Sequence, residues 1–573
     1  MEREIKIALL SNITIDLLVD DIKNNIKEKG ADCKLWVGGY NQYKNEILNE
    51  NSHLYKFEPK YLVIYLDTND LFAFINSKLI EIGEDERKVV SDDLFGEIKN
   101  IIGLAQARLN QCTILINSLY IPAVNILAGL EYNSLLSLKE MVRNYNQKLG
   151  NLATINDRVI IYDVESLVNE IGYKNFIDER LWYLAKMNLT KEGIKELAYL
   201  ISRTIISLEG LIKKCIVLDL DNTLWGGIIG EDGKNGIKLG PDGIDRAFVD
   251  FQIELKNLSK QGVILAICSK NNYADALDVI NTHPYMILKE DDFSGIYVNW
   301  DDKPTNLKRL AEDLNIGIDS LVFIDDNPFE REYVKNSLPE VEVPEWPSDP
   351  VFYKTALMEL YKKFFFKTRI TKEDKERVEM YRAQGQRIKI RSKCSSLEEY
   401  LSILEMVCII KLNDNNAVSR ISQLTQRTNQ FNLTTKRYTE ADINNFMKDK
   451  DAAVFSLQLL DKFGDNGIVG VIIMRKVNQE AWQIDTFLLS CRVIGRKVEQ
   501  AFLGTVLKKI VKTGAKVVIG RYIPSAKNQL VSSLYKELGF EFNGNEGESS
   551  LWKLDLNKNI IKIPKYFKIE ADL

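Results

Sequence analysis

The sequence predicts an α/β protein: two Rossmann-like doubly wound parallel-sheet domains followed by a mixed α/β domain. Three observations predict it. At 573 residues the chain is too long for one core, and about three domains is the starting expectation. Short apolar runs alternate with stretches of helical period as far as about residue 350, the pattern of parallel strands joined by crossover helices. Beyond about residue 395 the strand-like runs lengthen, which fits a largely antiparallel sheet with helices against it.

The first block, 1–210, has strand-like runs at 5–10, 61–66, 112–117 and 159–162, separated by helical stretches. The second, 211–350, repeats the pattern with runs at 215–220, 263–268, 296–300 and 321–324. Between the first two, Phe248, Phe251, Leu255 and Leu258 fall at helical spacing. A charged stretch, 351–394, reads as a helical linker. The third block, 395–573, carries strands at 452–460, 467–474 and 482–489 and helices at 495–512 and 525–538.

Composition narrows the function classes. Lys plus Arg is 76 against 81 Asp plus Glu, a net charge of −5, which argues against bulk nucleic-acid affinity. The opening MEREIKIALL is not a secretory leader, and the longest apolar stretches, such as 120–130, are too short to span a bilayer. The seven cysteines are odd in number and lack CxxC spacing, so reduced thiols and a cytoplasmic location are expected. Only two histidines, His53 and His283, are present, which limits histidine-based mechanisms.

The chemistry concentrates in the second block. In KKCIVLDLDNTLWGG, residues 215–220 are apolar except for Asp219, and Asp221 follows at once. Residues two apart share one face of a strand, so both carboxylates converge where the strand ends. The carboxyl end of a parallel strand opens onto a ligand crevice. Two carboxylates meeting there repel each other unless a cation intervenes, and Mg2+ is the simplest candidate. Taken alone, the pair also fits turn-forming aspartates before Gly226 and Gly227. Three further signals follow in order: Ser269 ending a strand in ILAICSKNN, Lys303 opening a helix in NWDDKPTNLKRL, and Asp325 with Asp326 ending a strand in LVFIDDNPFE.

Together these resemble the four motifs of the haloacid-dehalogenase (HAD) phosphotransferase superfamily. The resemblance implies that Asp219 is the nucleophile that forms an aspartyl phosphate. A carboxylate with a reference pKa of about 3.9 is already ionised at neutral pH and needs no base to activate it. Asp221 is implied as the acid that protonates the leaving oxygen and the base that deprotonates water. Mg2+ is implied at Asp219, Asp325 and the backbone carbonyl of Asp221, with Asp326 beside them. Thr223, Ser269 and Lys303 would hold phosphoryl oxygens. Cys268 abuts Ser269 and is a candidate thiol for carrying an acyl group.

DLDNTLWGGIIGEDG running on to GIKLGPDG, with SKNN and FIDDNPFEREYV, resembles the FkbH-like branch in particular. In the third block FLLSCRVIGRKVEQAFL resembles the pyrophosphate loop of GNAT acyltransferases, with Arg492, Gly495 and Arg496 at a helix N-terminus suited to anions. NQLVSSLYKELGFE, with Asn528, Tyr535 and Gly539, resembles their later pantetheine region. Lys497 stands where that loop has Gly or Ala. Cys491 beside the loop is a second candidate acyl carrier. The polar run QLTQRTNQFNLTTKRYT, 423–439, and FGDNG, 463–467, also resemble the FkbH-like C-terminal region. In the first block, IALLSNIT and VIYLDTNDL resemble the SGNH-hydrolase fold, with Ser11 in the nucleophile place and Asn69 and Asp70 downstream. FIDERLWYLAK, 176–186, lacks the histidine that would activate the serine, so this block is expected to be non-catalytic.

The full-length resemblance implies transfer of a glyceryl unit from 1,3-bisphosphoglycerate, with loss of phosphate, to the phosphopantetheine arm of an acyl carrier protein. No nucleic-acid or membrane partner is expected. Acyl transfer to an amino sugar, a plain Mg2+-dependent phosphatase of small molecules, and a non-enzymatic carrier-binding scaffold remain open from the residues themselves.

Overall fold

The computed structural model describes residues 4–573 except 79–80, 110–111, 124–136, 371–379, 382, 388–389, 392–393, 526–527 and 560. Most of the apolar run 120–130 and part of the expected linker therefore lie outside the described residues. The chain divides into two compact units: Met1–Lys214 with Lys354–Thr371, and Cys215–Tyr353 with Lys372–Leu573.

The first unit is built on β1 (Ile5–Ser11), β2 (Cys33–Val37), β3 (Tyr61–Tyr65), β4 (Thr113–Asn117) and β5 (Val159–Tyr162), all parallel in the order β2-β1-β3-β4-β5. The central strands read as unbroken apolar runs because both sheet faces are covered. Along β1, Ala8 and Leu10 enter one core while Ile7 and Leu9 enter the other, the period of two that a pleated strand imposes. The stretch 354–370, expected as linker, packs on this unit. The Phe364 carbonyl accepts the Lys213 amide at 2.9 Å, and Arg369 pairs with Asp157 at 2.7 Å.

The second unit begins with β6 (Cys215–Leu218), β7 (Ile264–Ser269), β8 (Gly295–Val298) and β9 (Leu321–Ile324), parallel in the order β8-β7-β6-β9. The chain passes from β6 to β7 on one side and later returns to β9 on the other. The carboxyl end of β6 is thus the point where strand order reverses, and the crevice opens there. Helices Gly243–Lys260, Tyr273–Thr282, Lys303–Leu314 and Pro328–Ser337 flank this sheet in sequence.

The rest of the unit holds an eight-stranded mixed sheet. Its strands are β10 (Met406–Leu412), β11 (Ala452–Asp461), β12 (Gly464–Asn478), β13 (Ala481–Leu489), β14 (Val517–Tyr522), β15 (Glu541–Glu546), β16 (Ser549–Asp555) and β17 (Phe567–Asp572), in the order β15-β16-β14-β13-β12-β11-β10-β17. Helix Val498–Val511 buries Val498, Phe502, Val506 and Ile510 in the core of this sheet. The helix expected at 525–538 is reduced to short turns, Gln529–Val531 and Leu534–Glu537.

β13 and β14 pair only over Ala481–Ile484 and Val517–Gly520. Beyond that point Phe431–Leu433 bridges them. The Leu433 amide donates to the Phe487 carbonyl at 3.1 Å, Leu489 to Phe431 at 3.0 Å, and Ile523 to Leu433 at 2.8 Å. The polar run 423–439 is therefore not a plain surface loop: its centre replaces the missing strand pairing.

Candidate active site

β6 is buried along its whole length and ends at Leu218, so Asp219 enters the crevice directly from the strand. The Asp219 amide donates to the Ile324 carbonyl at 3.0 Å, which locks the exits of β6 and β9 together. Asn222 then takes a left-handed conformation with φ 52°, which Asn tolerates better than most residues, and its side chain accepts the Gly227 amide at 2.9 Å. This turn sends Asp221 out of the strand direction and starts the segment before helix Ile229–Gly236.

Asp219, Asp325 and Asp326 converge, each with a carboxylate oxygen within 4.8 Å of the others. Lys303, at the first turn of its helix and 2% exposed, reaches Asp219 Oδ2 at 3.1 Å and donates to Asp325 Oδ2. The Asp302 side chain caps that helix by accepting the Thr305 amide at 2.9 Å, and Pro304 fixes its first turn. The Asn327 amide donates to Asp325 Oδ1 at 2.9 Å. Arg331 donates to the main-chain carbonyls of Asp325 and Asp326 at 2.9 and 2.7 Å, so it shapes the loop without neutralising its carboxylates directly.

Three carboxylates thus meet one ammonium. Asp219 Oδ1 is buried and has no hydrogen-bond partner. Burial and then the charge of Asp219 raise the pKa of Asp325 against the pull of Lys303. The same two causes push Asp326 up to about 6. Burial disfavours the Lys303 ammonium, but Asp219 and Asp325 outweigh it and raise its pKa. An orphaned carboxylate oxygen amid excess negative charge is the environment a hard divalent cation satisfies, and the all-oxygen donor set suits Mg2+.

Asp221 sits apart from the acidic cluster as a carboxylate under restraint. Its Oδ1 accepts from Trp225 Nε1 at 2.9 Å and from the Ile229 amide at 3.1 Å, and its Oδ2 accepts from Asn271 Nδ2 at 2.8 Å. Burial raises its pKa, and those three hydrogen bonds oppose the rise. Trp225 and Asn271 were missed as site residues. The sequence offers only proximity as a signal: Trp225 is four residues past Asp221, and Asn271 is two past Ser269 at a strand exit.

Ser269 ends β7, buried, and Thr223 is buried with an unpartnered Oγ1. Cys268 departs from expectation. It is fully buried, its Sγ lies 3.9 Å from the Lys303 carbonyl, and burial raises its thiol pKa far above the ordinary range. A protonated thiol without access to solvent is a poor acyl acceptor, so Cys268 is a core residue of the sheet.

Two of the four residues expected to contact pantetheine are internal as well. Arg496 Nη1 pairs with Asp461 at 3.0 Å, and Arg387 holds both oxygens of the same carboxylate at 2.9 and 2.8 Å. Burial, then the charge of Arg387, lowers Arg496 to about 10. Asn528 is buried; its amide group donates to the Asn432 and Ile523 carbonyls at 2.9 Å each and accepts from the Ser525 amide at 2.7 Å. It fastens the Phe431–Leu433 bridge and presents nothing to a ligand. Arg492 Nη1 contacts Met380 Sδ at 3.1 Å. Gly495, with φ 81°, lies in the turn before Lys497, itself left-handed with φ 61° at the start of helix Val498–Val511. The Cys491 side chain lies outside the described residues.

In the first unit, Ser11 Oγ accepts the Ile13 amide at 3.0 Å, Asn69 donates to the Tyr120 and Tyr173 hydroxyls at 3.2 Å each, and His53 stacks on Trp36. Asp70 is half-buried, and its pKa is raised by burial and by the charge of Asp67.

Comparison with known proteins fits this architecture. The family profile described as FkbH, N-terminal domain, matches residues 6–208. The N-terminal part of BF1531 from Bacteroides fragilis, described as containing a phosphatase domain and complexed with Mg, is 30% identical. That alignment covers 64% of this chain and 95% of that one, with a TM-score of 0.58. Ribosomal-protein-S18-alanine N-acetyltransferase from Escherichia coli is 13% identical over 27% of this chain and 96% of that one, with a TM-score of 0.21. A GNAT family acetyltransferase from Elizabethkingia anophelis is 14% identical over 21% of this chain and 84% of that one, with a TM-score of 0.17. No curated protein sequence matches. The parallel sheet with aspartates at its reversal point and the mixed sheet that follows make the chain a mixed α/β protein. The chain belongs to the FkbH-like family. No helix among the described residues is long and apolar enough to cross a membrane.

Proposed function

We propose that this chain is a Mg2+-dependent phosphatase working through an aspartyl phosphate on Asp219, and that it couples this chemistry to transfer of a glyceryl unit from 1,3-bisphosphoglycerate to the phosphopantetheine thiol of an acyl carrier protein. The observation that carries the reading is the unpartnered, buried Asp219 Oδ1 beside Lys303, Asp325 and Asp326. Mg2+ held by Asp219, Asp325 and the Asp221 carbonyl, with Asp326 beside it, would screen the phosphoryl charge.

A carboxylate oxygen of Asp219 attacks phosphorus as the ester P–O bond breaks. Asp221 gives its proton to the departing alkoxide. Water then attacks the phosphorus of the acyl phosphate, Asp221 takes the water's proton, and inorganic phosphate leaves with the Asp219 carboxylate restored. The raised pKa of Asp221 suits both proton transfers, and Trp225, Ile229 and Asn271 fix its two oxygens in place. Lys303 and Ser269 orient the phosphoryl oxygens. In the acyl step the carrier thiol attacks the acyl carbon of the mixed anhydride. A C–S bond forms, the C–O bond to phosphate breaks, and the thiol proton leaves with phosphate. Cys491 is an alternative first acceptor on this chain; Cys268 is not. The first unit serves as a docking module.

A plain small-molecule phosphatase is the second reading. It is favoured by the internal engagement of Arg496 and Asn528, which leaves the GNAT-like sheet without two of its expected pantetheine contacts. Intact-protein mass spectrometry separates the two. With Mg2+, 1,3-bisphosphoglycerate and carrier protein, the first reading gives a glyceryl adduct on the carrier, and Asp219→Asn gives one that keeps its phosphate. Phosphate release with an unmodified carrier supports the second.

A further inference from the structure

We propose that Lys270 recognises a second anionic group of the substrate, a carboxylate or phosphate remote from the phosphoryl group facing Asp219, and that Glu330 positions its ammonium for this. The proposal rests on the phosphotransfer reading above and deepens it.

Three consecutive residues leave β7 at its carboxyl end. Ser269 is buried at the end of β7, and Asn271 fixes Asp221. Lys270 lies between them. Its side chain is 37% exposed, whereas that of Lys303 is 3% exposed and already shared by two carboxylates. Lys303 is therefore fully engaged inside the acidic cluster, and Lys270 is the more exposed cation at this strand exit.

Lys270 Nζ pairs with Glu330 Oε1 at 2.6 Å. Glu330 stands in the first turn of helix Pro328–Ser337, directly after the Asp325–Asp326 loop. The pair lies near the site: the charge of Glu330 is felt at Cys268, beside Ser269, and that of Lys270 at Asp302, beside Lys303. Glu330 Oε2 is buried without a partner, an arrangement that a purely structural ion pair does not favour. An ammonium has three donors, and the bond to Glu330 uses one. The others remain to meet an anion entering from solvent. A half-exposed ion pair contributes little to stability, so selection for folding alone gives little reason to place it here.

The test compares 3-phosphoglycerate, which has a carboxylate beyond its phosphate ester, with glycerol 3-phosphate, which has none. Turnover is measured on the wild-type full chain in Mg2+, and binding by calorimetry on Asp219→Asn. The expected results are preferential turnover and binding of 3-phosphoglycerate. Lys270→Met should weaken KM and Kd for it by roughly 10–100-fold, the range of one charged hydrogen bond, while leaving kcat and both constants for glycerol 3-phosphate within about twofold. Lys270→Arg should recover part of the selectivity, and Glu330→Gln should reduce it in the same direction by less. Equal losses for both compounds, or no loss for either, overturn the assignment. Failure of the wild type to turn over either compound counts against the phosphotransfer reading, while the binding comparison still decides the role of Lys270.

Discussion

Replacing Lys303 with Met removes the ammonium shared by the acidic cluster while keeping much of the aliphatic volume. Lys303 Nζ lies 3.1 Å from Asp219 Oδ2 and is hydrogen-bonded to Asp325 Oδ2. At an effective dielectric constant of about 20, one unit pair at that separation is worth roughly 5 kcal/mol, and desolvation of the ammonium offsets much of it. The carboxylates left behind repel one another by at least about 3 kcal/mol per pair on the same estimate, since their oxygens lie within 4.8 Å. Breaking a buried ion pair on one side costs about 3–5 kcal/mol in measured cases, and that is the expected loss for Lys303→Met in EDTA. Millimolar Mg2+ should recover part of it by restoring positive charge among Asp219, Asp325 and Asp326. Turnover should stay down by at least about 10²-fold even with the metal, because a donor to the phosphoryl oxygens is gone. A multidomain chain has no single unfolding free energy, so the readout is amide exchange in β6 and β9, with and without Mg2+. Unchanged protection in EDTA would refute Lys303 as the cluster's counter-charge. A loss that Mg2+ does not reduce would refute the cluster as a divalent-cation site.

Asn271→Leu removes one of the three donors on Asp221 and should lower kcat about tenfold with KM little changed, since the role proposed for Asp221 is proton transfer and not binding; steady-state kinetics checks this. Arg496→Met should loosen the C-terminal sheet, read as faster amide exchange in β11 and β13, by removing one of the two guanidiniums on the buried Asp461 carboxylate, with Arg387 limiting the loss; if only affinity for a pantetheine ligand falls, the internal assignment is wrong. Asp326 has its pKa raised to about 6, so between its unfolded value near 4 and about 6 the metal-free folded state binds more protons than the unfolded chain. That contribution is present at low pH and is lost as pH rises through about 6. The protection conferred by Mg2+ should therefore grow from pH 5 to pH 7.5, and a protection flat with pH would contradict the crowding of these carboxylates.

Much of the fold is legible because burial writes it into the sequence. β6 and β9 are continuous apolar runs covered on both faces, and their observed bounds lie close to the expected ones. β2 carries no such run: CKLWV includes Lys34, lies at the sheet edge and is only half-buried, so its strand character comes from pairing with β1. β15 is mostly exposed, and β17 joins β10 across more than a hundred residues; neither carries a local apolar signal. The clustering of Asp219, Lys303, Asp325 and Asp326 was legible because each leaves the carboxyl end of a strand or opens the helix that follows one. The roles of Trp225 and Asn271 were not, since a hydrogen bond to Asp221 depends on the Asn222 turn and on the register of β7. Arg496 and Asn528 misled for a related reason. A motif gives residue types at a spacing, but Asp461 and the Phe431–Leu433 bridge, which claim these side chains, come from distant parts of the chain.

The central claim is that Asp219 becomes phosphorylated. Asp221→Asn protein, in which the group that activates water is lost, would be incubated with Mg2+ and a phosphate ester, quenched in acid and mapped by peptide mass spectrometry. The expected result is a phosphate on Asp219 that hydroxylamine removes and that Asp219→Asn abolishes. Phosphate on another residue, or turnover in Asp219→Asn, would contradict it.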